Sequence, residues 1–164
     1  MTEAPLSHRD EDFLAEAISL ARTNVASGGG PFGAVVVDPV HAMLAWGVNR
    51  VTATPDPTAH AEVEAIRAAA RDLGDFSLAG CTLYSSCEPC PMCLGAIFWS
   101  RLDRVVYAAT RADAARAGFD DGSCHDLFRC REDAAWPMVR AHLPHPQAHA
   151  PFEDWLRFAD AVPY

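Results

Sequence analysis

Apolar positions recur at helical spacing from the start of the chain. Leu14, Ile18, Ala21 and Val25 share one face, with Phe13, Ala17 and Leu20 beside them, which predicts a first helix over 7–26. Ser7 and Asp10 have the form of a capping box, and Gly28-Gly29-Gly30 end the helix. The period then changes. β-branched and apolar runs at 34–37 and 42–48, separated by Asp38-Pro39-Val40-His41, predict an antiparallel hairpin with His41 exposed at its tip. Helical spacing returns over 59–73, where Val63, Ile66, Ala70 and Leu73 form a buried face and Gly74 is the stop. A strand over 81–85, a helix from Pro91 to about 100, a strand over 104–109 and a short helix over 111–117 follow. The remainder predicts an edge strand over 137–143, a Pro- and His-rich linker over 142–151, and an amphipathic helix over 152–159 with Phe152, Trp155, Leu156 and Ala159 on one side.

A hairpin followed by strands alternating with helices makes this an α/β chain with right-handed crossovers. The expectation is one domain over 1–164: a three-layer αβα sandwich with a mixed, mostly five-stranded sheet, residues 150–164 forming a C-terminal helix and tail.

The 164 residues are half hydrophobic, enough for a sizeable core. No apolar run reaches the ~18–20 residues of a membrane helix, and 1–5 lack the pattern of a signal peptide, so a cytoplasmic protein with no membrane partner is expected. The formal net charge is −9, from 13 basic and 22 acidic residues. That balance disfavours nucleic acid as a partner, because phosphate binding rests on Lys and Arg, and favours a small uncharged or cationic substrate.

The cysteines change the picture more. Cys87, Cys90 and Cys93 fall within seven positions, a density that reads as metal binding in a reducing compartment, whereas Cys81, Cys124 and Cys130 are scattered and read as small buried hydrophobes. Cys90 and Cys93, at a helix start, point both sulfurs to one side. His60, at the start of the earlier helix, offers an imidazole. Two thiolates and one imidazole make the ligand set of a zinc ion with an open fourth position. Glu62 is left over as a free carboxylate able to take and deliver protons. On a regular helix residues two apart diverge, so His60 and Glu62 share a site only if the helix begins between them. Cys-x-x-Cys alone also fits a redox pair, and a closed structural site would need a fourth ligand such as Cys87 or His125. Gly28-Gly29-Gly30 lacks the Lys-Ser/Thr of a phosphate loop and instead permits a tight turn and a close backbone approach. His142, His145 and His149 read as solvated linker. Phe32 and Trp99 are candidate aromatic walls of a pocket.

His-x-Glu on one helix with Pro-Cys-x-x-Cys on the next is the pattern of zinc deaminases acting on nucleobases. Four stretches resemble the cytidine deaminase superfamily and, within it, the small bacterial guanine deaminases. These are Gly29-Gly30-Pro31-Phe32-Gly33-Ala34-Val35, Asp56-Pro57-Thr58-Ala59-His60-Ala61-Glu62-Val63, the run from Ser86-Cys87-Glu88-Pro89-Cys90 through Pro91-Met92-Cys93-Leu94-Gly95-Ala96-Ile97, and Ala117-Gly118-Phe119-Asp120-Asp121. The resemblance covers nearly the whole chain, although 124–147 matches no family pattern. It implies a cytidine deaminase-like fold and hydrolysis of guanine to xanthine and ammonia. It also implies Zn2+ on His60, Cys90 and Cys93, and proton transfer by Glu62. Base recognition falls to Asn49, the Ala61 backbone and Asp121. A homodimer is implied too, with an exchanged C-terminal segment whose last residue, Tyr164, closes over the site. The alternatives are deamination of another small amino-heterocycle or nucleoside (8-oxoguanine, cytosine, ammeline, guanosine, cytidine), a tRNA adenosine deaminase, which the acidic balance disfavours, and a non-catalytic zinc module.

Overall fold

A computed structural model describes residues 7–40, 42–130, 136–160 and 162. Its elements run α1 (His8–Ala26), β1 (Gly33–Val37), β2 (Met43–Val48), α2 (Ala61–Leu73), β3 (Thr82–Cys87), α3 (Pro91–Trp99), β4 (Arg104–Ala109), α4 (Arg111–Arg116), α5 (Gly122–Arg129) and α6 (Ala150–Arg157). The sheet has the order β2-β1-β3-β4, with β1 antiparallel to both neighbours and β3 parallel to β4. It is therefore mixed, as expected, but four-stranded among the described residues. The predicted edge strand over 137–143 does not form. Pro137 has no amide to donate, and Val139 is 94 % exposed, so alternation there has no face to bury.

Every residue of β1 is buried, so its alternation serves two layers rather than a wet and a dry face. Val35 and Val37 join Tyr84 and Val106 beneath Phe13, Leu14 and Leu20 of α1. Ala34 and Val36 join Ala45, Leu83 and Ile97 against Ala61, Ala65, Ile66 and Ala69 of α2. This is the three-layer sandwich. Two glycines let the helices sit directly on the strands. A Cβ on Gly33 would meet the Ala17 carbonyl oxygen and the Ala21 nitrogen of α1, and one on Gly47 would meet the Ala61 carbonyl oxygen and the Ala65 nitrogen of α2. Among the described residues no helix is long and apolar enough to cross a membrane. His41 lies outside the described residues.

The capping box at Ser7 continues inward. Buried Asp10 takes the Ser7 amide at 2.7 Å, the Tyr84 hydroxyl at 2.6 Å, and the two guanidinium nitrogens of Arg104 at 2.5 and 3.2 Å. The Arg104 guanidinium, with help from Tyr84 and Ser7, holds its carboxyl well below the usual carboxylate range. A depressed folded-state value contributes stability that is present above the unfolded value, ~3.9, and is lost as pH falls below it. Asp10→Asn should thus cost about 1–3 kcal/mol at pH 7, since the Arg104 left behind is partly solvated. The gap from the parent should narrow below about pH 4, as read by urea unfolding at pH 7 and pH 3.

Candidate metal and substrate site

The loop after β2 is tied down before it delivers His60. The Arg50 amide donates to the Ala59 carbonyl at 2.9 Å, and Asp56 accepts from the Thr58 amide and hydroxyl at 2.8 and 2.7 Å. His60 is the N-cap of α2 in extended conformation (φ −73°, ψ 155°), and its side chain caps nothing. It lies outside the helix while Glu62 lies in the first turn, so the two can serve one site. α3 repeats the arrangement. Cys90 is its N-cap (φ −68°, ψ 168°), Pro91 opens the helix where a missing amide is no loss, and Cys93 lies in the first turn. Each ligand pocket is thus edged by helix N-termini, which favour negative charge.

His60 Nδ1 stands 3.6 Å from Cys90 Sγ and 3.5 Å from Cys93 Sγ, and the two sulfurs are 3.5 Å apart. Ligands at ordinary Zn–N and Zn–S lengths on tetrahedral corners are about 3.6–3.8 Å apart. The donor types and their spacing therefore fit zinc. The crowding of these groups shows in their proton affinities: contact with Cys93 and His60 lowers the Cys90 thiol to about 4, and Cys90 together with burial pushes Cys93 up. The hydrogen bond to Cys90 likewise pushes His60 up. A divalent cation resolves that crowding by replacing the shared protons. Among the described residues no other His, Cys, Asp and Glu cluster has such spacing. Cys87 is not part of it: its thiol donates to the Thr110 carbonyl at 3.7 Å, and burial pushes it up to about 11. His125 pairs with Asp121 instead. Among the described residues no fourth protein group joins the three at that spacing, which is the ligand set of a catalytic rather than a closed zinc site.

Glu62 is buried. Its Oε1 accepts from the Ser85 hydroxyl at 3.3 Å, and its Oε2 accepts from Cys93 Sγ at 3.5 Å. Burial pushes its carboxyl above the usual carboxylate range, which raises its affinity for a proton taken from water.

A cavity of about 520 Å3 opens over these groups, and His60, Glu62, Cys90, Phe32, Asn49 and Asp121 all line it. Phe32 meets Phe119 edge-on, with ring centroids 5.0 Å apart. Asn49 Oδ1 accepts from the Val51 amide at 3.4 Å, which leaves its Nδ2 as a donor. Asp121 is the N-cap of α5 yet caps nothing. Its Oδ2 lies 3.2 Å from His125 Nε2, and the carboxylate is an acceptor on the cavity wall. Ala61 is fully buried and is not among the residues that line the cavity; its amide lies in the first turn of α2, where donors lack helical acceptors.

Trp99 corrects an expectation. It ends α3, ~12 Å along the axis from Pro91, is 64 % exposed, and stands with Phe98, Arg101 and Leu102 around a separate hollow rather than walling the cavity. Tyr164 lies outside the described residues. Sequence reasoning missed Phe119, Ser85, Glu88 and Arg111 as parts of the site. Glu88 Oε2 accepts from the Arg111 amide at 3.0 Å, joining the loop before α3 to α4 at the cavity rim.

The sequence model for the cytidine and deoxycytidylate deaminase zinc-binding region matches residues 7–109. Guanine deaminase of Bacillus subtilis is 48 % identical over 156 residues, 94 % of this chain and 98 % of that protein. The X-ray structure of guanine deaminase from Bacillus subtilis superposes with a TM-score of 0.89 at 46 % identity, covering 97 % of this chain and 99 % of that one. A tRNA-specific adenosine deaminase of Haemophilus influenzae is 39 % identical over 120 residues, 70 % of this chain and 69 % of that protein.

Proposed function

Because this chain belongs to the cytidine and deoxycytidylate deaminase zinc-binding family, we propose that it hydrolyses guanine to xanthine and ammonia. The observation that carries the reaction type is the His60, Cys90 and Cys93 triad beside a spare buried carboxylate at the floor of one cavity. The choice of guanine rests on the similarity to Bacillus subtilis guanine deaminase along nearly all of both chains. It rests also on one donor, Asn49 Nδ2, and one acceptor, Asp121, on the cavity wall. Guanine offers a carbonyl acceptor beside a ring N–H and an exocyclic amine that donate. A base without those donors leaves the Asp121 carboxylate unpaired in the cavity, and that penalty gives selectivity.

His60, Cys90 and Cys93 would hold Zn2+, which would supply Lewis acidity and lower the pKa of a nearby water to ~7. Glu62 accepts the proton of the attacking water at a carboxylate oxygen and passes it to a ring nitrogen. The water oxygen is then bonded to the amine-bearing carbon; Glu62 carries the proton of that new hydroxyl to the exocyclic amine, the carbon–nitrogen bond breaks, the carbonyl of xanthine forms, and ammonia leaves. Ser85 keeps one oxygen of Glu62 in place throughout.

The test is ammonia release from guanine, guanosine, 8-oxoguanine, adenine, cytosine, cytidine and ammeline. Guanine should give the highest kcat/KM, and a clear preference for cytidine would overturn the assignment.

The protein acts in the cytoplasm in this reading, where a reducing medium keeps its six cysteines out of disulfides. It acts as a homodimer that exchanges its C-terminal segment, with Tyr164 closing over the cavity. Exposure of Phe152 and Leu156 on α6, at 69 % and 82 %, supports a partner for that helix. A monomer mass by light scattering would rule out the exchange.

A further inference from the structure

Gly28, Gly29 and Gly30 line part of the cavity, and Asn49, just after β2, lines another part. One side chain joins them. Asn24, near the end of α1, donates from Nδ2 to the Gly30 carbonyl and to the Asn49 carbonyl, each at 2.8 Å. Two carbonyl oxygens require two N–H donors from one point, and of the side chains this short only a carboxamide supplies them. The same pair of acceptors fixes which end of the amide faces inward.

The surroundings are shaped to this residue. The Gly29 amide donates back to the Asn24 carbonyl at 2.8 Å. A Cβ on Gly29 would overlap the Asn24 carboxamide, and one on Gly30 would stand 2.9 Å from Asn49 Oδ1. Asn49 is thereby held at every backbone and acceptor atom. Its amide donates to the Phe32 carbonyl at 3.1 Å, its carbonyl accepts from Asn24, and its Oδ1 accepts from the Val51 amide. Among the described residues only Nδ2 remains for a ligand.

We propose that Asn24 is a positioning residue for base recognition: its carboxamide locks the glycine wall to the Asn49 backbone and so sets where the Asn49 amide meets the substrate. This rests on the reading of Asn49 as a recognition residue. Asn24 touches no substrate; it acts through Asn49.

The experiment is steady-state kinetics on the base that the parent turns over best, so that a wrong substrate assignment shows separately in the parent. Asn24→Asp fills the same space but has no donor. It and Asn24→Ala should each raise KM about tenfold, the scale of a lost hydrogen bond that also frees its partners. kcat should stay within about twofold, and zinc content should be unchanged. Asn24→Ser, with one donor, should fall between and serves if the alanine variant folds poorly. In an Asn49→Ala background the Asn24→Asp effect should shrink to less than about twofold, because a residue acting through another has nothing further to lose. A parental KM in Asn24→Asp would show a space-filling role and overturn the proposal. So would an undiminished effect in the Asn49→Ala background. A parental KM in Asn49→Ala alone would instead fault the reading of Asn49 beneath it.

Discussion

Glu62→Gln should fold and hold one zinc per chain like the parent, yet release ammonia from guanine at least about 10²-fold more slowly. The substitution keeps the shape of a buried side chain and the partner that fixes it, since a carboxamide oxygen can still accept from the Ser85 hydroxyl at Oε1. What it removes is proton affinity. The parent carboxyl sits in a site where burial raises that affinity above its ordinary value, so it can both take a proton and give it up. An amide does neither at neutral pH. Zinc content by mass spectrometry and ammonia release by coupled assay separate the outcomes. Full zinc with lost turnover supports the proton-transfer role, whereas full zinc with parental turnover would remove Glu62 from the mechanism. Glu62 is not one of the three atoms at metal-ligand spacing, so coordination should not change with it.

Cys93→Ala should lose both zinc and turnover. Three ligands within 3.6 Å of one another become two, and two neutral or singly charged donors do not retain zinc against water. The deleted thiol is also fully buried, so its loss leaves a small void beside Glu62. Activity should drop to the uncatalysed background, below the Glu62→Gln residue. Thermal stability should fall as well, because a ligand bound only by the folded state stabilises it by about 4 kcal/mol at a thousand times its dissociation constant. Chelating zinc from the parent should reproduce both losses, and restoring zinc should reverse them. A Cys93→Ala protein with full zinc would mean that the ligand set is wrong.

Much of the site was legible because its chemistry is local in sequence. His60 with Glu62 and Cys90 with Cys93 each lie within four positions, and each pair spans a helix start that Pro91 and the Asp56-Pro57-Thr58 turn announce. The sandwich followed from periodicity: the all-apolar Val35-Val36-Val37 run becomes a strand buried on both faces. What failed depended on distance or on packing. Trp99 ends α3 six residues after the ligand Cys93, and only helix geometry shows that it leaves the cavity. α5 was unforeseen although Asp121 precedes it and Cys124, Leu127 and Phe128 fall at helical spacing: Gly122 opens it, it is only eight residues long, and none of them is buried. Asn24 and Ser85 carry no motif at all; each matters through bonds to segments 23 or more residues away, Asn24 to Asn49 and Ser85 to Glu62.

The seat of α2 on Gly47 has a consequence for how such a protein can change. There the helix that carries Glu62 rests on backbone alone, with the Ala61 carbonyl where a side chain would be. The part of the molecule that breaks the carbon–nitrogen bond is thereby fixed by main-chain contact, and no gradual series of substitutions at Gly47 can tune it. Asn49 and Asp121 come from a strand end and a helix cap at the rim, where side chains can be exchanged one at a time. Divergence toward new amine-bearing rings should therefore accumulate at the rim while the seat stays glycine. Anyone redesigning the substrate range should randomise the rim and leave the seat untouched.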